Sequence, residues 1–283
     1  MRNIRLTVAY DGTNYVGWQV QTNGLAIQAV IEKAIKRLTG THSPVYSAGR
    51  TDSGVHAIGQ VANFHTDSPI PPGKWRAALQ QYLPSDIVLL DSREVPRAFH
   101  ATFSAIRKRY RYVIYNGYSL LPFLRNYAHH VFRPLDSEAM HAAAQRLVGK
   151  HDFRSFETEW PNKATSVRTV MEISIVRRAI WPIWQPAPLD GSPISSLANE
   201  KSGNESPSTP SNQEGDFLCM DIIADGFLYN MVRSIMGTLI DVGRGRWSAD
   251  DVARILTAQT RSAAGNTAPA CGLYLVQVDY DPV

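Results

Sequence analysis

Hydrophobic positions near the start of the chain alternate. Ile4, Leu6, Val8 and Tyr10 are spaced by two, with polar residues or small Ala9 between them. That is the period of a half-buried strand, and Asp11-Gly12 turns the chain behind it. The period then lengthens. Leu25, Ile27, Val30, Ile31, Ala34, Ile35 and Leu38 recur at helical spacing, with Gly40 just past the end, which predicts a helix that stops there. Short strands are expected over 45–48 and 60–65, a helix over 74–82 stopped by Pro84, and a buried strand over 87–90. Past that point a strand is expected over 107–115. Asp136 reads as an N-cap, with Leu135 and Met140 placed as a hydrophobic staple, and the helix behind it runs to about 148 before Gly149. Strands follow over 167–176 and 217–224. Asp225-Gly226 leads into an apolar helix through Met231, Val232, Ile235, Met236, Leu239 and Ile240. Ser248 and Asp251 form a capping-box pattern before a last helix, and a strand over 273–280 closes the series.

Strands and helices are mixed, and several strand neighbours read as antiparallel, so the expected class is α+β. Two domains are expected, 1–104 and 105–283. Residues 180–215 stand apart. Pro, Ser, Asn and Gly dominate there and periodicity fades, so this stretch reads as a loosely held insertion.

Composition adds three constraints. No run approaches the length of a membrane-spanning helix, and the opening residues lack a long apolar stretch, so no leader peptide is expected. Cys219 and Cys271 are too few for a disulfide framework or a cysteine-built zinc site, and read as small reduced residues. The net charge of +4 conceals an asymmetry. Residues 190–216 hold five acidic side chains and one lysine, so 28 basic residues face 20 acidic ones in the rest of the chain. A basic folded part suits a polyanionic partner.

Candidate chemistry concentrates in Gly49-Arg-Thr-Asp-Ser-Gly-Val-His-Ala57. Two glycines bracket Arg50, Thr51 and Asp52, and glycine permits a tight path and close backbone approach. A plain surface turn with an N-cap Asp has the same spacing. Asp52-Ser53-Gly54 also matches the tripeptide of aspartic proteases, but a second copy in the chain, needed to share a proton, is missing. The subtilisin-like reading lacks a Gly-rich Ser nucleophile segment. Asp52 and His56 stand four apart, yet no His-Glu-x-x-His or cysteine pair supports a metal site.

The whole segment resembles the signature of the TruA family of pseudouridine synthases. Five more segments resemble family motifs, in the family's order: Tyr10-Asp-Gly-Thr-Asn-Tyr-Val-Gly-Trp-Gln19, Arg109-Tyr-Arg-Tyr112, His151-Asp-Phe-Arg-Ser-Phe156, Gly226-Phe-Leu-Tyr-Asn-Met-Val-Arg-Ser234 and Ala268-Pro-Ala-Cys-Gly-Leu-Tyr-Leu275. Ser53 stands where many members carry Ala, Asn230 where His is common, and the insertion is not general to the family.

The resemblance implies two ferredoxin-like halves related by a pseudo-two-fold axis, sharing a mostly antiparallel sheet with a cleft between them. It implies isomerisation of uridine to pseudouridine at positions 38, 39 and 40 in the anticodon stem-loop of tRNA. Asp52 would be the catalytic carboxylate, attacking sugar or base or abstracting a sugar proton. Tyr110 would stack on the flipped base, Arg50 would occupy the space the base leaves, Arg233 would pair with the carboxylate, and Leu273 would line the pocket. Tyr112 reads as core. Arg107, Lys108, Arg109 and Arg111 are candidates for phosphate contacts, together with Arg244, Arg246 and Trp247. Also implied are tRNA as partner, a homodimer, no cofactor, no metal and a cytoplasmic enzyme. The competing reading is a non-catalytic tRNA-binding protein on the same scaffold.

Overall fold

A computed structural model of the protein describes residues 1–158, 165–180 and 215–281. The chain is α+β, and it separates into two compact units. The first comprises 1–110, 224–226 and 269–283, and the second 111–223 and 227–268. The expected boundary at 104 differs from this in two ways. The break falls after Tyr110, and the last strand belongs to the first unit. Most of the insertion lies outside the described residues.

In the first unit, β1 (Arg2–Tyr10) follows the alternation read from the sequence, with Ile4, Leu6 and Val8 fully buried. It pairs antiparallel with β3 (His56–Thr66) on one side and β4 (Ile87–Val95) on the other. β10 (Leu273–Tyr280) lies parallel to β3, with Tyr274 opposite His56. The order is thus β4–β1–β3–β10, with the two-residue β2 (Tyr46–Ser47) beside β3. β3 and β4 are both longer than expected. Helix α1 (Ile27–Thr39) buries Ile27, Ile31, Ala34 and Ile35. It ends at Gly40, whose φ of 76° is the left-handed cap that glycine tolerates best. Leu25 is outside this helix and exposed, because the chain is still extended at Ala26. The short α2 (Trp75–Gln80) packs Trp75 and Leu79 inward and stops two residues before the expected end.

The second unit takes β5 (Ala105–Tyr115) from Arg111 onward. It orders β5–β9–β8–β7, where β7 is Gly149–Asp152, β8 Val167–Arg178 and β9 Phe217–Ala224. A two-residue β6 (His129–His130) adds to β5 in parallel. Asp136 caps α3 (Ser137–Ala144) by accepting from the amides of Glu138 and Ala139 at 3.0 and 2.9 Å. Helix α4 (Met231–Gly243) buries all six apolar residues named from its sequence. Each such side chain removed from water contributes about 1.5–3 kcal/mol. A Cβ on Gly237 would sit 1.7 Å from the Asn266 carbonyl oxygen, so the helix passes this segment backbone to backbone. Helix α5 (Ala249–Ala258) opens with the reciprocal Ser248–Asp251 capping box. Among the described residues, no helix is long and apolar enough to cross a membrane.

Candidate active site

Residues 48–55 leave the sheet between β2 and β3. The Ala48 amide still donates to Val61 O at 2.8 Å, as the ladder requires. Beyond it, the loop is held by the 10–19 segment. Trp18 donates its amide to Thr51 O at 3.0 Å, Gly54 donates its amide to Tyr15 O at 3.3 Å, and Ser53 Oγ donates to the same carbonyl at 3.2 Å. The two motifs form one construction, and its glycines explain themselves. A Cβ on Gly17, where φ is 101°, would lie 2.4 Å from Thr51 O, and one on Gly12 would lie 2.0 Å from Val55 O. Both positions meet backbone, which cannot swing aside as a side chain can. Gly54, with φ of 76°, makes the turn that follows Asp52.

Asp52 itself is half-buried. Its neighbour Thr51 is buried, and the Thr51 hydroxyl lies 2.8 Å from that of Tyr10. Gln60, fully buried on β3, donates to Gly49 O at 2.8 Å and reaches toward the Tyr10 hydroxyl at 3.5 Å. His56 Nδ1 lies 3.1 Å from the Gly12 amide and 3.1 Å from Asp11 Oδ1, and its ring stacks on Tyr274 at 4.8 Å. The loop therefore has buried partners on β1 and β3, and His56, which follows it, is backed by β10. These anchors were not singled out from the sequence, although Tyr10, His56 and Tyr274 all fall inside the motif segments. The contact between the Thr51 and Tyr10 hydroxyls ties the loop to β1.

Tyr110 is buried on β5. Burial pushes its phenol well above the usual tyrosine range, and the nearby Tyr10 and Asp52 push it in the same direction. A negative charge at Asp52 thus reaches the Tyr110 hydroxyl, and the structure brings these two site candidates together. Tyr110 and Lys108 also approach Gly49. A Cβ there would sit 3.6 Å from Lys108 Nζ and 3.9 Å from the Tyr110 hydroxyl. Tyr10 is pushed up to about 12 by burial, against the lowering effect of its bonds to Thr51 and Gln60.

The remaining candidates are placed as follows. Arg50 is exposed on the same loop. Leu273 is buried at the start of β10. Arg233, in the second unit, is half-buried. Its Nε donates to Ala268 O at 2.7 Å and its NH1 to Asn230 Oδ1 at 2.9 Å. Asn230 is left-handed, with φ of 62°, a conformation that asparagine tolerates better than most residues. Arg107 Nε donates to Asp279 Oδ2 at 2.5 Å.

Arg109 and Arg111 correct the expectation of a four-residue phosphate-facing strip. Both are buried. Arg111 makes a two-bond pair with Asp221, from Nε at 2.9 Å and NH2 at 2.8 Å, so its charge is met within its own unit. Arg244 and Arg246 are exposed but share Asp241, at 3.6 and 3.0 Å.

Comparison with known proteins agrees with the motif pattern. The family model described as tRNA pseudouridine synthase matches residues 6–104 and 143–281. A relative from Acetivibrio thermocellus named tRNA pseudouridine synthase A is 43% identical over 280 residues, spanning 99% of this chain and 100% of the relative. One of the same name from Thermoanaerobacter sp. is 42% identical, with the same coverage of both chains. A third, from Limosilactobacillus fermentum, is 38% identical over 284 residues, spanning 99% of this chain and 97% of its own.

Proposed function

The chain belongs to the tRNA pseudouridine synthase family, and on that premise we propose that it isomerises uridine to pseudouridine in tRNA through the carboxylate of Asp52. The reaction breaks the bond between N1 of the base and the ribose anomeric carbon, and rejoins the same base through C5. A proton leaves C5 and one ends on N1. Nothing is oxidised and no water is consumed, so side chains suffice.

The observation that carries this reading is a half-buried carboxylate on a loop pinned from two motif segments, with a buried phenol hydroxyl beside it. Asp52 acts as nucleophile toward sugar or base, or as the base that takes a sugar proton. Each role needs the anion. Tyr110, held protonated by burial and by that anion, remains a neutral donor next to it and offers a ring for the uracil. The target nucleotide must leave its stack to reach such a group. Arg50, exposed on the same loop, fills the vacated space, since a planar guanidinium stacks and donates at once. Arg233, through its place in the 226–234 motif, supplies the cation that keeps the carboxylate ionised. Leu273 backs the base.

Lys108 and Arg107 provide phosphate contacts, which give affinity and salt dependence without sequence preference. The substrate sites are uridines 38, 39 and 40 of the anticodon stem-loop. A cytoplasmic homodimer, each chain built on two ferredoxin-like halves, completes the reading.

The test is an unmodified tRNA transcript incubated with the protein in the absence of added metal or cofactor, followed by mapping of pseudouridine at each position. Pseudouridine at 38–40 is expected. Its absence, or its appearance only outside the anticodon stem-loop, contradicts the proposal.

A further inference from the structure

In the first unit, three rings meet at tilted angles in a short row beside the Asp52 loop. Tyr46 on β2 lies 5.0 Å from His100, centroid to centroid, and His100 lies 4.5 Å from Phe103. The outer members are open to solvent. Tyr46 is 42% exposed and Phe103 is 83% exposed.

The segment holding Phe103 is tied down on every side. Ala101 donates its amide to Asn63 Oδ1 at 2.8 Å and accepts at its carbonyl from the Tyr280 hydroxyl at 2.8 Å. His100 donates its amide to Ser104 Oγ at 3.1 Å, and Thr102 donates its amide to His100 Nδ1 at 3.2 Å. Thr102 Oγ1 donates to Ser47 O at 2.5 Å, which fastens this segment to the start of the Asp52 loop. A large apolar ring is therefore held in water by a rigid turn. A pre-organised ring loses little entropy on meeting a partner, so the arrangement suits binding.

The location decides the partner. Four Cα steps separate Tyr46 from Arg50 and six separate it from Asp52. The chain cannot stretch beyond about 15 Å and about 23 Å respectively. Those are distances of a few nucleotides. Lys108 flanks Gly49 in the same region, and aromatic rings next to cations are how proteins hold unpaired bases. His100 is lowered from its ordinary value, by burial first and by His65 second, so it joins the cluster as a neutral ring near neutral pH. We propose that the Tyr46–His100–Phe103 ring cluster, through the exposed face of Phe103, is a platform for an unpaired base of the RNA substrate, a few nucleotides from the uridine at Asp52. This rests on the reading of tRNA as substrate.

The experiment compares wild type, Phe103→Ala and Phe103→Trp. Filter binding gives the Kd for an unmodified tRNA transcript, and sedimentation gives the oligomeric state. Loss of one base–aromatic stack weakens binding by about five- to a hundredfold. That loss is expected for Phe103→Ala, with binding kept by Phe103→Trp and sedimentation unchanged in both. Wild-type affinity in Phe103→Ala overturns the proposal. So does a loss of affinity accompanied by a change in sedimentation, which would assign the ring to contact with a second copy of the chain. Pseudouridine formation by wild type in the same tubes tests the functional reading separately.

Discussion

Replacing Gly17 with Ala gives a sharp test of how the loop carrying Asp52 is positioned. The added Cβ would lie 2.4 Å from Thr51 O, 3.0 Å from Asp52 C and 3.2 Å from Ser53 N. Ordinary contact begins near 3.4 Å, so the loop carrying Asp52 must retreat by about 1 Å, and a misplacement of that size costs about 100-fold in rate. The φ of 101° adds about 1–3 kcal/mol of backbone strain. Gly40→Ala is the matched control. Gly40 also has positive φ, at 76°, but nothing lies within 4 Å of its would-be Cβ. Both variants should lower Tm, and only Gly17→Ala should lose about 100-fold in single-turnover pseudouridine formation at saturating enzyme. A Gly17→Ala rate within threefold of wild type, or an equal loss in Gly40→Ala, would refute the argument.

Three other outcomes follow from the same geometry. Tyr10→Phe leaves the buried Thr51 hydroxyl without its 2.8 Å partner, and should cost about 1–3 kcal/mol in denaturant unfolding. Arg111→Ala strands a buried Asp221 carboxylate and should cost about 3–5 kcal/mol, whereas replacing both residues with apolar ones should recover much of that stability. Alkaline pH should destabilise the fold. Tyr10 is raised to about 12 and Tyr110 is raised as well. Between pH 10 and 12 the unfolded chain therefore releases protons that the folded chain retains, and stability falls as pH rises. A Tm series from pH 9 to 11.5 should show the fall, and it should be shallower in Tyr10→Phe.

The elements read well from the sequence share long, unbroken periods. The alternation in β1, the apolar face of α4 and both N-terminal caps, at Asp136 and Ser248, are local signals and appear at the expected residues. Elements without a period were not legible. The pairs at His129–His130 and the four residues of Gly149–Asp152 are strands only because of what they pair with. The start of β3 at His56 was hidden because its first residues are buried on both faces. The return of β10 to the first unit depends on pairing with His56 and Ala57, more than 200 residues earlier.

At the site, Asp52, Arg50 and Tyr110 were legible as motif members. The roles of Gly12 and Gly17 needed the packing of one motif on another. The burial of Arg109 and Arg111 within the basic run at 107–111 was not legible for a related reason. Local charge density says nothing about a partner such as Asp221, which lies 110 residues away. Nor does alternation help on a strand buried throughout from Arg109 to Tyr115.

The role of the Asp52 carboxylate is open to direct measurement. Pseudouridine forms its new carbon–carbon bond at C5 of the base, so tRNA carrying tritium at C5 of its uridines releases label as the reaction proceeds. Asp52→Asn keeps the size of the side chain and removes its charge. The account predicts rapid tritium release by wild type, none above background by Asp52→Asn, and equal tRNA affinity in both. Release by Asp52→Asn at a rate near wild type would contradict it.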